Sequence, residues 1–485
     1  MNVYDYLFDE SGFLYKNFLL GNKEELSYTA LQAEALGLAR YLREMYGQNN
    51  KILLVSPNSS FFLIAYLGII KSGNVCVPLN PSIEKQNVSY IKEVCQSEIV
   101  FVAESLKDER WEGFKNVCDH IPKVNGGLNG FSQDIFTNDS FDENSLAEII
   151  FTSGSMGKPK GVMISHKNII ANTDSFIDYL QLTPDDTIEI VLPFYYCYGL
   201  SLLHSHLKVG GSVVFNNNFM FPGQVLNDLK KYECTGFAGV PSHFQILLRK
   251  STSFKTESFP RLRYVTQAGG KLHKVFIREF MDSHPEIDFC VMYGQTEATA
   301  LLSYLPPDML EKKLGSMGRP IPGVSLELVD DSGNFITDPD VVGELVARGN
   351  NIMLGYLGDE QGTSEILKNG WLHTGDLAYK DQDGYFFHTS RRKEIIKVGG
   401  RRISPKEIEE VIVTIPGVVD CSVSGAYDDL LGEALKAVIV LSNSKDNEPD
   451  EASIKQICAD KLAPEKVPKL IHFSTKLAVA PTGKK

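Results

Sequence analysis

Apolar and polar positions follow two rhythms along this chain. Short, continuous apolar runs rich in β-branched residues end in Pro, Ser or Asn. KILLVSP (51–57), NVCVPLNPS (74–82) and SEIVFVAES (97–105) are of this kind, and each predicts a buried strand. Between them, apolar residues recur every three to four positions, the spacing of one helical face. Strands alternating with helices predict parallel sheets flanked by helices, an α/β fold. The run FFLIAYLGII (61–70) is about half the roughly 20 residues that span a bilayer. It predicts a helix buried inside an α/β layer, and no integral membrane segment.

Later the rhythm changes. GVSLELVDDSGNF (323–335) reads as a strand and an Asp-Ser-Gly turn, and GELVARG (343–349) as the returning strand. Such spacing predicts a small antiparallel sheet, a β-barrel-like part. Near 388–393 the composition turns basic, in SRRKEIIKVGGRRISPKEIEEVI (390–412). A boundary is expected there. It divides a large N-terminal domain (1–390), built of helix-flanked, mostly parallel sheets plus the barrel-like part, from a small mobile α+β domain (391–485). Ser404, Pro405 and Glu407 have the types and spacing of an N-cap, a first helical residue and the third position of a capping box.

With 485 residues, 43% hydrophobic and 22% charged, the chain is long enough for more than one core. A net charge of −13 argues against a nucleic-acid binder and fits a cytoplasmic protein. Any anionic ligand must then meet a local cationic site. The N-terminus lacks the charged-then-apolar layout of a signal peptide. The eight cysteines contain no C-x-x-C pair, which disfavours a zinc site or redox dithiol and suits free thiols in a reducing compartment.

One candidate for the cationic site is FTSGSMGKPKG (151–161). It is not a P-loop: Gly154 and Gly157 are too close, and Pro159 stands where a metal-binding hydroxyl belongs. The pattern around it predicts a strand at 148–151, a second strand at 161–164, and a helix capped by Ser165. The loop therefore joins two strands, without help from a helix dipole. Backbone N–H groups, the hydroxyls of Thr152, Ser153 and Ser155, and the charge of Lys158 must hold the phosphates.

With four further segments, this loop resembles the acyl-adenylate-forming superfamily: acyl-CoA synthetases, nonribosomal peptide synthetase adenylation domains and luciferases. The segments are MYGQTEATA (292–300), GWLHTGDLAY (370–379), the basic stretch 390–412 and APTGKK (480–485), in the family's order over nearly the whole chain. The pattern is nearest to the AMP-forming acyl-CoA synthetases. The resemblance implies that a carboxylic acid attacks the α-phosphate of ATP, that pyrophosphate leaves, and that a thiol then displaces AMP from the acyl-adenylate. It also implies that Thr152, Ser153, Gly154, Ser155, Gly157 and Lys158 close over ATP, with Gly269 and Gly270 beside the nucleotide.

Tyr293 offers a flat face to adenine, and Gly294 a close backbone approach. Thr296 can donate to the α-phosphate, and Glu297 is an oxygen ligand suited to Mg²⁺. Asp376 can accept from the ribose diol. The ribose-contacting arginine is Arg391 or Arg392; Ser390 stands where Gly is usual, and Arg391 is preferred because Lys393 then falls on the hinge position. Lys484 matches the catalytic lysine of adenylation, and Gly400 the glycine that admits a pantetheine arm. Family members usually continue past this lysine, so a longer natural C-terminus is expected.

For the acid pocket the resemblance points to Tyr196, Tyr198, Ala268 and Ala298, with Tyr196 where many relatives carry His. The segment FYYCYGL contains no Asp to hold an α-ammonium, which disfavours amino acids and leaves fatty and aromatic acids. The expected co-substrates are ATP, with Mg²⁺, and CoA. The alternative is a free-standing adenylating enzyme that loads the phosphopantetheine of an acyl or peptidyl carrier protein.

Overall fold

The computed structural model describes residues 1–21, 24–122, 141–152, 158–219, 221–398, 401–428, 432–442 and 449–475. Among these residues the strands form four sheets. The three runs that open the chain's apolar pattern lie side by side in the first, as parallel strands Val75–Leu79, Lys51–Val55 and Ile99–Val102. Leu146–Thr152 joins this sheet in parallel, and antiparallel strands Lys160–Ser165 and Gly355–Tyr356 extend it. The second sheet is nine-stranded. Its centre runs in parallel from Asp288–Tyr293 through Tyr264–Gln267, Gly236–Gly239, Thr187–Ile190 and Ser212–Phe215 to Asn17–Leu20.

The expected buried helix is Ser60–Lys71, with every residue from Phe62 to Ile70 buried. Ser59 caps it, accepting from the N–H of Phe62. Its side chains share one apolar cluster with Ile52 and Leu54 of the first sheet and with Ile188 and Ile190 of the second. A helix apolar on all sides needs such cover on all sides.

The third sheet is antiparallel. Val324–Val329 pairs with Gly343–Gly349, that strand with Trp371–Lys380, and that in turn with Phe386–Arg391. Its outer strands do not pair with each other among the described residues, so it is open rather than a closed barrel. The fourth sheet takes its strands from Ile396–Val398 to Leu470–Ser474 and carries the helices Pro405–Ile412 and Glu451–Lys461.

The helix at Pro405 starts as expected, with Pro405 first, but the capping box does not form. Ser404 donates instead to the Thr389 carbonyl, and Glu407 pairs with Lys466. The bond to Thr389 orients the Ser404 hydroxyl toward the preceding strand, and no helix N–H donates to it.

Candidate active site

The loop of the opening motif is strung between antiparallel strands, with Thr152 paired opposite Lys160. No helix starts behind it. Helix His166–Leu180 begins only after the second strand, where Ser165 and Asn168 form a reciprocal capping box. Ser153, Gly154, Ser155 and Gly157 lie outside the described residues. Lys158 is exposed, its ammonium 5.6 Å from the centre of the Tyr90 ring. Lys160 is anchored, 3.0 Å from Asp359 and over the ring of Tyr356. The Tyr356 hydroxyl in turn donates to Glu297 at 2.7 Å.

Glu297 stands on a tight turn after the strand Asp288–Tyr293. A single 3₁₀ turn, Thr296–Ala298, is followed by Thr299 and Ala300 at φ 53° and 106°. Side chains other than glycine rarely accept such angles, which cost roughly 1–3 kcal/mol each. Several contacts hold the turn. Asn351 donates to the carbonyls of Ala298 and Leu301 and accepts, at its own carbonyl, from Thr299. Asn172 also donates to Leu301, and the N–H of Met353 to the carbonyl of Glu297. Thr296 is buried, its hydroxyl 3.5 Å from the Cys197 sulfur. A Cβ on Gly294 would sit 1.8 Å from the Ala300 carbonyl oxygen. The chain's own packing thus already requires this glycine.

Asp376 is reached from the third sheet. At Gly375, with φ 74°, the strand Trp371–Lys380 bulges out of register with its neighbour, and a bulge of this kind re-aims the next side chain. Asp376 is 1% exposed. It accepts from Tyr293 Oη at 2.6 Å and from Arg391 Nε at 3.0 Å, with His388 Nε2 at 3.4 Å. Burial alone would raise its pKa, but the His388 hydrogen bond and the Arg391 charge hold the carboxyl below its ordinary range. Asp376 and Arg391 are direct cross-strand partners, while Arg392 turns away to Asp331 and Glu344. The arginine beside this carboxylate is therefore Arg391. Two motifs 83 residues apart in sequence meet at the Tyr293–Asp376 bond.

Of the expected acid-pocket residues, Tyr196 is half-buried at the start of helix Cys197–Val209. Tyr198 is buried and shares a 2.7 Å hydrogen bond with Thr266. Ala268 is 3% exposed, and Ala298 is sealed within the apolar cluster of the third sheet. Gly269 adopts φ 83°, while Gly270 is exposed. Lys393 is exposed in the turn that follows Arg391. Gly400 and Lys484 lie outside the described residues.

Comparison with known proteins places this geometry. The model for AMP-binding enzymes matches residues 12–357, and the one for the AMP-binding enzyme C-terminal domain matches residues 407–484. The chain belongs to the AMP-binding enzyme family. This AMP-binding enzyme is 28% identical to a 4-coumarate–CoA ligase-like protein of Arabidopsis thaliana, over 95% of its own length and 84% of the relative's. It is also 28% identical to a long-chain-fatty-acid–CoA ligase of Escherichia coli O157:H7, over 95% and 89% of the two chains. Its fold superposes on ATP-bound MatB from Rhodopseudomonas palustris with a TM-score of 0.88 and 27% identity, covering 100% of this chain and 97% of that one.

Several side chains of the site in this AMP-binding enzyme had no signal in the sequence analysis. His388 and Tyr356 touch the two key carboxylates, and Asn351 clamps the turn. All three lie outside the five segments that carry the resemblance.

Proposed function

We propose that this AMP-binding enzyme activates a carboxylic acid with ATP and passes the acyl group to the thiol of CoA. The observation that carries this reading is the buried Asp376 carboxylate, ionised and held between Tyr293 and Arg391, beside the turn that presents Thr296 and Glu297. An ionised carboxylate at the bottom of a site accepts two hydrogen bonds from a ribose diol. That fixes the nucleoside beside the turn carrying Thr296, the residue assigned to the α-phosphate. The substrate carboxylate attacks the α-phosphate, the bond to the β-phosphate breaks, and pyrophosphate leaves. The thiol then attacks the acyl carbon and AMP departs.

In the first step negative charge accumulates on the α-phosphate. Thr296 donates to it, Lys484 bridges it to the acid, and Lys158 and the loop hold the departing pyrophosphate. Glu297 has one oxygen engaged by Tyr356, and no described residue donates to the other. A single carboxylate with a free oxygen fits Mg²⁺, which keeps most of its shell for phosphates and water. Glu297 would hold the ion, and its chemistry there is to neutralise phosphate charge.

We read residues 1–390 as the nucleotide- and acid-binding domain, and 391–485 as the smaller one that brings Lys484 and then Gly400 to the site. Tyr196, Tyr198, Ala268 and Ala298 form the acid's surroundings and suit a fatty or aromatic acid. The names of the 4-coumarate and long-chain relatives support this class. No helix among the described residues is long and apolar enough to cross a membrane. The eight free cysteines support a reducing, cytoplasmic setting.

The test is pyrophosphate release across a panel of fatty and aromatic acids, with and without CoA. AMP and pyrophosphate are expected as products, with a thioester formed from CoA alone. ADP as product would refute the reading. A thioester formed only with a phosphopantetheinylated carrier protein would move the acceptor to the alternative.

A further inference from the structure

Beside the turn 296–300, against helix Cys197–Val209, lies a second polar cluster. Glu148 of strand Leu146–Thr152 is 2% exposed. Tyr66 donates to it at 2.8 Å and is 2.7 Å from His204 Nε2. Since Tyr66 has one proton and gives it to Glu148, His204 must be the donor in that second bond. No described residue donates to the other Glu148 oxygen. Beside it is a small cavity of about 10 Å³, lined by Glu148, Asn172, Cys197, Ser201, His204 and Thr299 among others.

Asn172 joins this cavity to the turn. Its Nδ2 donates to Leu301, whereas its Oδ1 is buried with no hydrogen-bond partner. An orphaned buried acceptor costs about 1–3 kcal/mol, and native structures seldom leave one. The cavity volume matches the 10–15 Å³ that one water occupies by this measure, and such a water needs two to four polar partners. Acceptors on the lining residues include Asn172 Oδ1, the Glu148 carboxyl, and Ser201 Oγ, whose own proton goes to the Tyr198 carbonyl.

We propose that this cavity holds one buried water, which donates to Asn172 Oδ1 and bridges it to Glu148, and that Glu148, Tyr66 and His204 thereby act as positioning residues for the turn carrying Thr296 and Glu297. The water fixes the Asn172 amide with its Nδ2 on Leu301. Leu301 follows directly on the two positive-φ residues, so its carbonyl is where the turn's conformation is pinned. None of these groups is among the residues assigned above to ATP, Mg²⁺ or the acid.

The activity arm of the test rests on the acid-activating reading; the water does not. A crystal structure of the full chain, at a resolution where single waters are placed, should show an ordered water within hydrogen-bonding reach of Asn172 Oδ1 and Glu148. A dry cavity overturns the site. Pyrophosphate release is then assayed with Mg·ATP and whichever of hexadecanoate and 4-coumarate is turned over. Glu148→Leu should lower kcat by up to about 100-fold, with KM for ATP little changed, because a misplaced turn costs orientation rather than binding.

Glu148→Gln, whose amide oxygen can accept from Tyr66 while its NH2 donates to the water, which still donates to Asn172, should rescue most of that loss. Asn172→Asp keeps the acceptor but loses the donor to Leu301; it should fall as Glu148→Leu does, and it decides the matter if the leucine variant does not fold. Wild-type kcat in either impaired variant, or a glutamine variant as poor as the leucine one, overturns the positioning role. Absence of pyrophosphate release in the wild-type protein would count against the acid-activating reading instead, and the crystal density would still judge the water.

Discussion

Two buried carboxylates in this chain are driven in opposite directions by their partners. Asp376 has a histidine and an arginine against it and is held below its ordinary range. Its stabilising contribution is present above the unfolded value near 3.8 and is lost only as pH falls through the lower folded one. It therefore stays ionised at neutral pH. Asp376→Asn should raise the KM for ATP about tenfold or more, since a hydrogen bond to a charged group contributes roughly 1.5–3 kcal/mol. An unchanged KM, with AMP titrated calorimetrically as a check, would remove it from the nucleotide site. Glu148 has a hydroxyl and no cation. Burial drives it up to about 7, with the Tyr66 hydrogen bond only partly opposing. The groups facing it cannot titrate in its place near neutrality: His204 is lowered to about 3, Cys197 is pushed up to about 12, and Tyr66 and Cys76 stand well above their ordinary values. A raised carboxyl contributes stability below its unfolded value and loses it as pH climbs through the folded one. Between pH 4.5 and 7 the wild-type protein should lose about 3 kcal/mol from this residue. Urea unfolding at pH 5 and pH 8 should show that loss in the wild type and its removal in Glu148→Gln; parallel pH profiles would disprove it.

At the scale of elements, the turn 293–300 makes a similar demand on the backbone. A Cβ on Gly294 would clash with a carbonyl oxygen of the main chain, which cannot rotate away as a side chain can. Gly294→Ala should destabilise the protein by about 1–3 kcal/mol and reduce pyrophosphate release, as overpacked sites do. Normal stability and rate in this variant would mean the turn is softer than its contacts indicate. The same turn shows where sequence is legible and where it is not. The strands at 51–55, 75–79 and 99–102 could be read because burial on both faces leaves an uninterrupted apolar run. The Ser165 cap could be read because all its partners are local. Ser404 has the same local pattern but gives its hydroxyl to Thr389, fifteen residues away. Asp376 and Arg391 stand out in compact motifs, yet the bulge at Gly375 that aims one at the other depends on pairing with a strand about thirty residues upstream. His388, Tyr356 and Asn351 acquire their roles only through partners brought near by the fold, so no local pattern marks them.

Across the whole molecule, the question is how two chemical steps share one site. The C-terminal part is seated on the large one through Arg249, which donates to the Val418 carbonyl at 2.7 Å, through Gln245 on Asp420, and through Lys271 on Glu410. One apolar cluster also runs through both, from Phe244 and Phe280 to Ile408 and Ile439. These contacts define one orientation. On the proposed mechanism Lys484 must reach the α-phosphate while pyrophosphate is leaving, and Gly400 must later admit the thiol to the same acyl carbon. Both belong to 391–485, so one orientation cannot serve both steps. Lys484→Ala should slow adenylation by about 10²–10³, the usual loss for one preorganised charge-stabilising group, and leave transfer from a supplied acyl-adenylate largely intact. Lys393 lies exposed just past Arg391, between the Asp376 contact on one side and the fourth sheet on the other. A hinge there must change φ and ψ without disturbing Arg391. Proline would hold φ near −65°. Lys393→Pro should then preserve one half-reaction, adenylation, and block the other. The check is pyrophosphate release without CoA against thioester formation from pre-formed acyl-adenylate in the same preparation. Wild-type thioester turnover in that variant would place the pivot elsewhere or show that the two parts do not turn. Equal loss of both steps would show that the residue supports the site rather than the movement.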